Sequence, residues 1–141
     1  MPSQSLSTVN HAPQVVAEWV NLLCEDLGWD DQGRAYMLLR VTLHAVRDYL
    51  TVDEAVDLSA QLPVLIRGIY FDGWVPARCP AHPRSKEDFL ERIAAPFGDT
   101  PLEDAERAAS TVFDLLRRKI SEGEFEQVAN AMRKPLRELW L

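Results

Sequence analysis

Apolar residues recur three and four positions apart along most of the chain, the spacing of one face of an α-helix. Val15, Val16, Trp19, Leu22, Leu23 and Leu27 form a first stripe, with Pro13 suited to an opening helical turn and Gly28 to the stop. A second stripe starts near Asp31 and carries Tyr36, Leu39, Leu43, Val46 and Leu50. Thr51-Val-Asp-Glu54 reads as a capping box and opens a third helix through Ala55, Leu58 and Leu62. Pro63 then either kinks that helix or opens a short fourth one carrying Leu65, Ile66 and Ile69. After Phe71 comes a stretch with Gly73, Pro76, Pro80 and Pro83, expected to lack regular structure and to be tied down by Trp74.

The pattern then starts again. Ser85 caps a helix through Phe89, Leu90, Ile93 and Phe97, and Thr100-Pro-Leu-Glu103 signals the next start, ahead of Val112, Phe113, Leu116 and Ile120. Ser121-Glu-Gly-Glu124 reads as a second capping box, and the last stripe runs Phe125, Val128, Met132, Leu136, Leu139 and Trp140. No alternating run or Asn-Gly hairpin signal interrupts the helical pattern. Shifted by 70 positions, residues 19–71 align on 89–141 without a gap. Identical pairs are few, but they include Arg47/Arg117 and Arg67/Arg137, and bulk faces bulk at Trp19/Phe89, Leu43/Phe113 and Tyr70/Trp140. The expected fold is an all-α helical bundle of two tandem three-to-four-helix units related by internal duplication. The expected division is a flexible tail over 1–12, then one domain over 13–141: unit one 13–71, linker 72–84 and unit two 85–141.

The string Gln61-Leu-Pro63 followed by Arg67-Gly-Ile-Tyr70 and Gly73-Trp74, with Trp19 upstream and Leu136-Arg-Glu-Leu-Trp140 at the close, resembles the bacterial DUF2267 family. The resemblance covers nearly the whole chain after about residue 12. It implies an all-helical fold with two related halves and implies no activity. One departure stands out: unit two has Ala131-Met-Arg-Lys-Pro135 where unit one has Gln61-Leu-Pro63, which shifts the expected helix break by two residues.

Composition narrows the function classes. With 141 residues and 47% hydrophobic content the chain can bury a self-sufficient core. No run approaches the roughly 20 apolar residues of a bilayer span, and residues 1–10 lack a signal-peptide pattern. Two cysteines, Cys24 and Cys79, are too few for a disulfide framework, so the expectation is a soluble cytoplasmic protein. The net charge of −7 argues against generic nucleic-acid binding. Charge is uneven, with four basic and nine acidic residues over 1–71, and a basic group of Arg117, Arg118, Lys119, Arg133, Lys134 and Arg137 in unit two. Such a group reads as a solvated face or a set of ion-pair partners.

Candidate chemistry is sparse. Cys79-Pro-Ala-His82 has the spacing of half a zinc site but no second half, so no metal or cofactor is expected. His44 lies at the edge of a stripe with no nucleophile placed beside it, and no catalytic set can be named. The repeated arginines could grip a carboxylate or phosphate, or pair with Glu54 and Glu124 to lock one helix to the next. Tyr70 and Trp74 either seal the units or face a partner, and Trp29 is the aromatic expected to be partly exposed. Two functional readings follow. The first is a helical protein-interaction or self-association module. The alternative is a binder of, or enzyme for, a small anionic ligand held between the units, with Arg67, Tyr70, Trp74, Arg137 and Trp29 as the candidate binding residues and nothing suggesting a membrane.

Overall fold

The computed structural model describes residues 2–132 and 134–140. Among them lie eight α-helices and no strand: α1 (Pro2–Leu27), α2 (Gln32–Tyr49), α3 (Val52–Ser59), α4 (Val64–Phe71), α5 (Lys86–Ala94), α6 (Ala105–Lys119), α7 (Glu122–Ala131) and α8 (Lys134–Trp140). Short 3-10 turns occupy Pro76–Arg78 and Ala95–Phe97.

Most helix ends are where the side chains direct them. Gly28 adopts φ 70°, a left-handed conformation that stops α1. Asp31 caps α2 through the Arg34 N–H at 3.1 Å. At α3 both halves of the capping box form: the Glu54 N–H donates to Thr51 Oγ1 at 3.2 Å and the Thr51 N–H to Glu54 Oε1 at 2.9 Å. Pro63 opens a separate fourth helix and does not kink the third. In unit two the proline falls at 135, inside the first turn of α8, where its missing N–H has no intrahelical partner to lose. The residues before it are therefore free to stay helical, and α7 ends at Ala131, two residues beyond the counterpart of Ser59.

Three expected boundaries are corrected. α1 starts at Pro2, with Pro13 inside it; the proline is exposed, so water can serve the carbonyl whose helical donor it removes. Thr100 does not start α6. The Arg34 guanidinium takes the Thr100 and Pro101 carbonyls at 2.7 and 3.0 Å, which a helix starting there would need for its own first bonds. Asp104 caps α6 instead, accepting from the Arg107 N–H at 3.0 Å. The second capping box is half formed: Ser121 Oγ accepts from the Glu124 N–H, but the Ser121 N–H donates to Gln61 Oε1 of unit one at 3.2 Å.

The units are interlocked. α2 and α6 cross at the centre; α1 packs on α2 and also on α6, while α5 packs on α6 and also on α2. α4 and α8 lie against the long helix of their own unit, and α3 meets α7. One continuous hydrophobic core results, threaded by Tyr49, Phe89, Phe113, Trp140 and Phe125 at ring separations of 5.1, 6.1, 3.9 and 5.3 Å. The linker is pinned to the end of α2: the Ala81 N–H donates to Asp48 O at 2.7 Å, Arg84 to Tyr49 O at 2.9 Å, and the Tyr49 hydroxyl to Pro83 O at 3.0 Å.

Arg47 carries the tightest polar packing. It is 5% exposed and donates to Tyr70 O at 2.6 Å, Asp72 O at 2.8 Å and Asp48 Oδ1 at 3.0 Å. Arg47→Met strands those carbonyls and should cost about 3 kcal/mol, because buried polar groups without partners are expensive. Thermal denaturation should show a loss of roughly 6–12 °C. Where α3 meets α7, burial and then the charge of Asp57 hold the Glu124 carboxyl above its ordinary pKa. The folded chain thus binds this proton more tightly than the unfolded chain, and stability falls as pH rises through the carboxylate range. Glu124→Gln should raise the melting temperature at neutral pH, with the gain vanishing in acid where the wild-type side chain is itself protonated.

Candidate functional site

Unit one spends its polar side chains on its own backbone. Arg67 donates through Nε to Ser59 O and through Nη2 to Leu62 O, both at 2.9 Å, tying α4 to the end of α3. The partner is the helix terminus and not Glu54, which is engaged in the Thr51 capping box. The Tyr70 hydroxyl donates to Ala55 O at 2.8 Å, and burial raises its pKa. His44 bonds Ile69 O through Nε2 at 2.7 Å, with burial holding its pKa below the usual value, so it joins α2 to α4 as a neutral donor. Trp74 is half-buried, packs on Phe71 and donates to Cys79 Sγ at 3.2 Å.

Trp29 is half-buried as well, beneath the Arg34 guanidinium at 5.0 Å. It lines a polar cleft of about 370 Å³ with Arg34, Pro101 and Arg107, well apart in sequence from the other candidates. Two of the six residues in the basic group of unit two pair across the units: Arg118 meets Asp26 at 2.7 Å and Lys119 meets Glu18 at 2.6 Å, both joining α6 to α1. The Lys119 hydrogen bond holds the Glu18 carboxyl below its ordinary pKa.

The corresponding donors of unit two are less fully engaged. Arg47 reaches Tyr70 O, and Arg117 reaches the carbonyl of its counterpart, donating to Trp140 O at 2.7 Å. It is exposed where Arg47 is sealed. Arg137, the counterpart of Arg67, makes neither carbonyl contact, and its buried Nε has no hydrogen-bond partner among the described residues. The same holds for Trp140 Nε1, where the Tyr70 hydroxyl has Ala55 O. Arg117 and Arg137 face one cavity of about 710 Å³, walled by Phe125 and Ala129 and rimmed by Glu122, Glu126 and Asn130 of α7. In unit one the three rim counterparts are Val52, Val56 and Ala60. Of the expected site residues, then, only Arg137 lies at this cavity; neither Arg67 nor Tyr70 lines it. Arg117 was legible as a repeated arginine, but its role here depends on the packing of α7 and α8.

A second cavity, of about 420 Å³, lies between α1 and the start of α4 and is almost wholly apolar. Ala12 and Val15 form one side, and Pro63, Val64 and Leu65 the other.

An all-helical protein of two interlocked units with cavities at its outer faces is what the geometry defines. The chain belongs to the family described as "Uncharacterized conserved protein (DUF2267)", whose model matches residues 16–139. No curated protein matches it. Among the described residues no helix is long and apolar enough to cross a membrane.

The two related arginines separate architecture from site. Arg67→Met should cost about 1–3 kcal/mol in urea denaturation, since it strands carbonyls at the end of α3. Arg137→Met should change stability by less than about 0.5 kcal/mol or raise it, because it removes an unpaired buried donor.

Proposed function

We propose that the protein is a helical interaction module that receives apolar side chains of a partner protein in the cleft between α1 and α4. The single observation that supports this reading is that the apolar stripe of α1 outruns the core. Trp19, Val20 and Leu23 are buried, Val15 and Val16 half-buried, and Val9, two turns before Val16, is 68% exposed. Across the cleft from Ala12 and Val15, Val64 is 55% and Leu65 43% exposed, and the cleft is lined almost entirely by carbon. Exposed apolar surface gathered at one place costs solubility and is kept where something covers it. The partner's chemistry follows from charge. Unit one is the more acidic half of a chain of net charge −7, which opposes a second copy and favours an amphipathic segment with basic flanks. The two free cysteines fit a reducing compartment, in keeping with a bacterial cytoplasmic setting. The matched caps, arginine contacts and helix order support descent of the two units from one duplicated ancestor.

A photo-crosslinking amino acid placed at Val64 in living cells tests this. The expected product is one discrete adduct with a second protein, lost on Leu65→Asp and absent when the probe sits at exposed Glu91. An adduct with another copy of the chain would replace the hetero-partner by self-association, and no adduct at position 64 would refute the reading. A second reading, a small anionic ligand, is favoured by one observation, the two guanidinium groups that share the cavity of unit two.

A further inference from the structure

The cavity of unit two differs from the matching region of unit one in three respects, and all three point to an occupant. First, the donors of unit one are consumed: Arg67 and Tyr70 bond the backbone of α3, and Arg47 is sealed against the carbonyls of Tyr70 and Asp72. Their counterparts Arg137 and Arg117 instead turn toward open space, with Arg137 Nε buried and unbonded among the described residues. That Nε is sealed from the cavity as well as from the backbone, so what the cavity offers a ligand is the rest of the Arg137 guanidinium, free of the two carbonyls that occupy Arg67. Second, Arg117 is held in place. Its guanidinium is anchored on Trp140 O at 2.7 Å and lies over the Phe125 ring at 4.7 Å, so its remaining N–H donors have a fixed direction. Third, the rim is polar at Glu122, Glu126 and Asn130, where unit one carries Val52, Val56 and Ala60.

We infer that the α6–α7–α8 cavity binds a small monocarboxylate with an apolar body, its carboxylate held by Arg137 and Arg117 and its body against Phe125 and Ala129. This deepens the second functional reading and is independent of the α1–α4 cleft. A planar carboxylate matches the guanidinium fork, and a volume of about 710 Å³ falls in the range of small-molecule sites. Neither rim carboxylate lies within ion-pair distance of Arg117 or Arg137 among the described residues, so both guanidinium groups keep their charge unneutralised. The two glutamates stand at the rim, where they repel further negative charge. A single negative charge is therefore accommodated while a doubly charged phosphate is repelled from the rim.

The test is calorimetric titration of the full chain with phenylacetate, with its neutral amide phenylacetamide, and with inorganic phosphate. Phenylacetate should bind and phenylacetamide should not. Arg137→Gln should weaken phenylacetate by about tenfold or more, whereas Arg78→Gln, which removes an exposed arginine of the linker, should leave it unchanged. Far-ultraviolet dichroism of each variant separates loss of binding from loss of fold. Arg137-dependent binding of phosphate in place of phenylacetate would overturn the monocarboxylate inference while sparing the anionic reading. Binding of neither would overturn both, as would phenylacetate binding that is indifferent to Arg137→Gln.

Discussion

The fold depends on a guanidinium group set near the end of each long helix. Arg47 and Arg117 project from the last turns of α2 and α6 and take the carbonyls of Tyr70 in α4 and Trp140 in α8. Each thus receives a helix C-terminus, where carbonyls lack intrahelical partners and the dipole favours a positive charge. A short helix of seven or eight residues, such as α4 or α8, is too brief to be stable by itself. Its persistence rests on being docked, and the arginine supplies the fixed polar end of a dock whose other surface is apolar. In unit one the arrangement extends further, since the chain beyond α4 adds Asp72 O to the same guanidinium and the linker then runs back over α2.

Much of this was legible from residue order. The 3.6-residue stripes placed the core, and the caps at Asp31, Thr51 and Ser85 placed three helix starts, because those signals act within a few residues of chain. The shifted break between α7 and α8 was legible too, since the proline that governs it moves from 63 to 135. What failed was anything settled at a distance. Thr100-Pro-Leu-Glu103 is a sound local start signal, and it lost to Arg34, which lies 66 residues away in sequence from Thr100 and claims its carbonyls. The Ser121 box was broken in the same way by Gln61. Local chemistry offers a menu, and tertiary contacts choose from it.

The candidate site was less legible for a related reason. Repetition of Arg67 and Arg137 in the sequence suggested that the two act alike. The structure assigns them opposite circumstances, one saturated with carbonyls and the other facing a cavity. The signal that could have separated them is the change from Val52, Val56 and Ala60 to Glu122, Glu126 and Asn130, which converts an apolar flank to a polar rim. Where two stretches of one chain follow the same apolar pattern, the positions at which they differ hold more information about function than those at which they agree.

The packing of α1 on both long helices has a consequence for how the chain is made. α1 is synthesised early, yet part of the surface that covers it belongs to α6, at residues 105–119. A nascent first half leaving the ribosome therefore carries the apolar stripe of α1 incompletely shielded until most of the second half has followed. During that interval the exposed stripe is a place for chaperones to hold, and for two unfinished chains to grip each other in place of themselves.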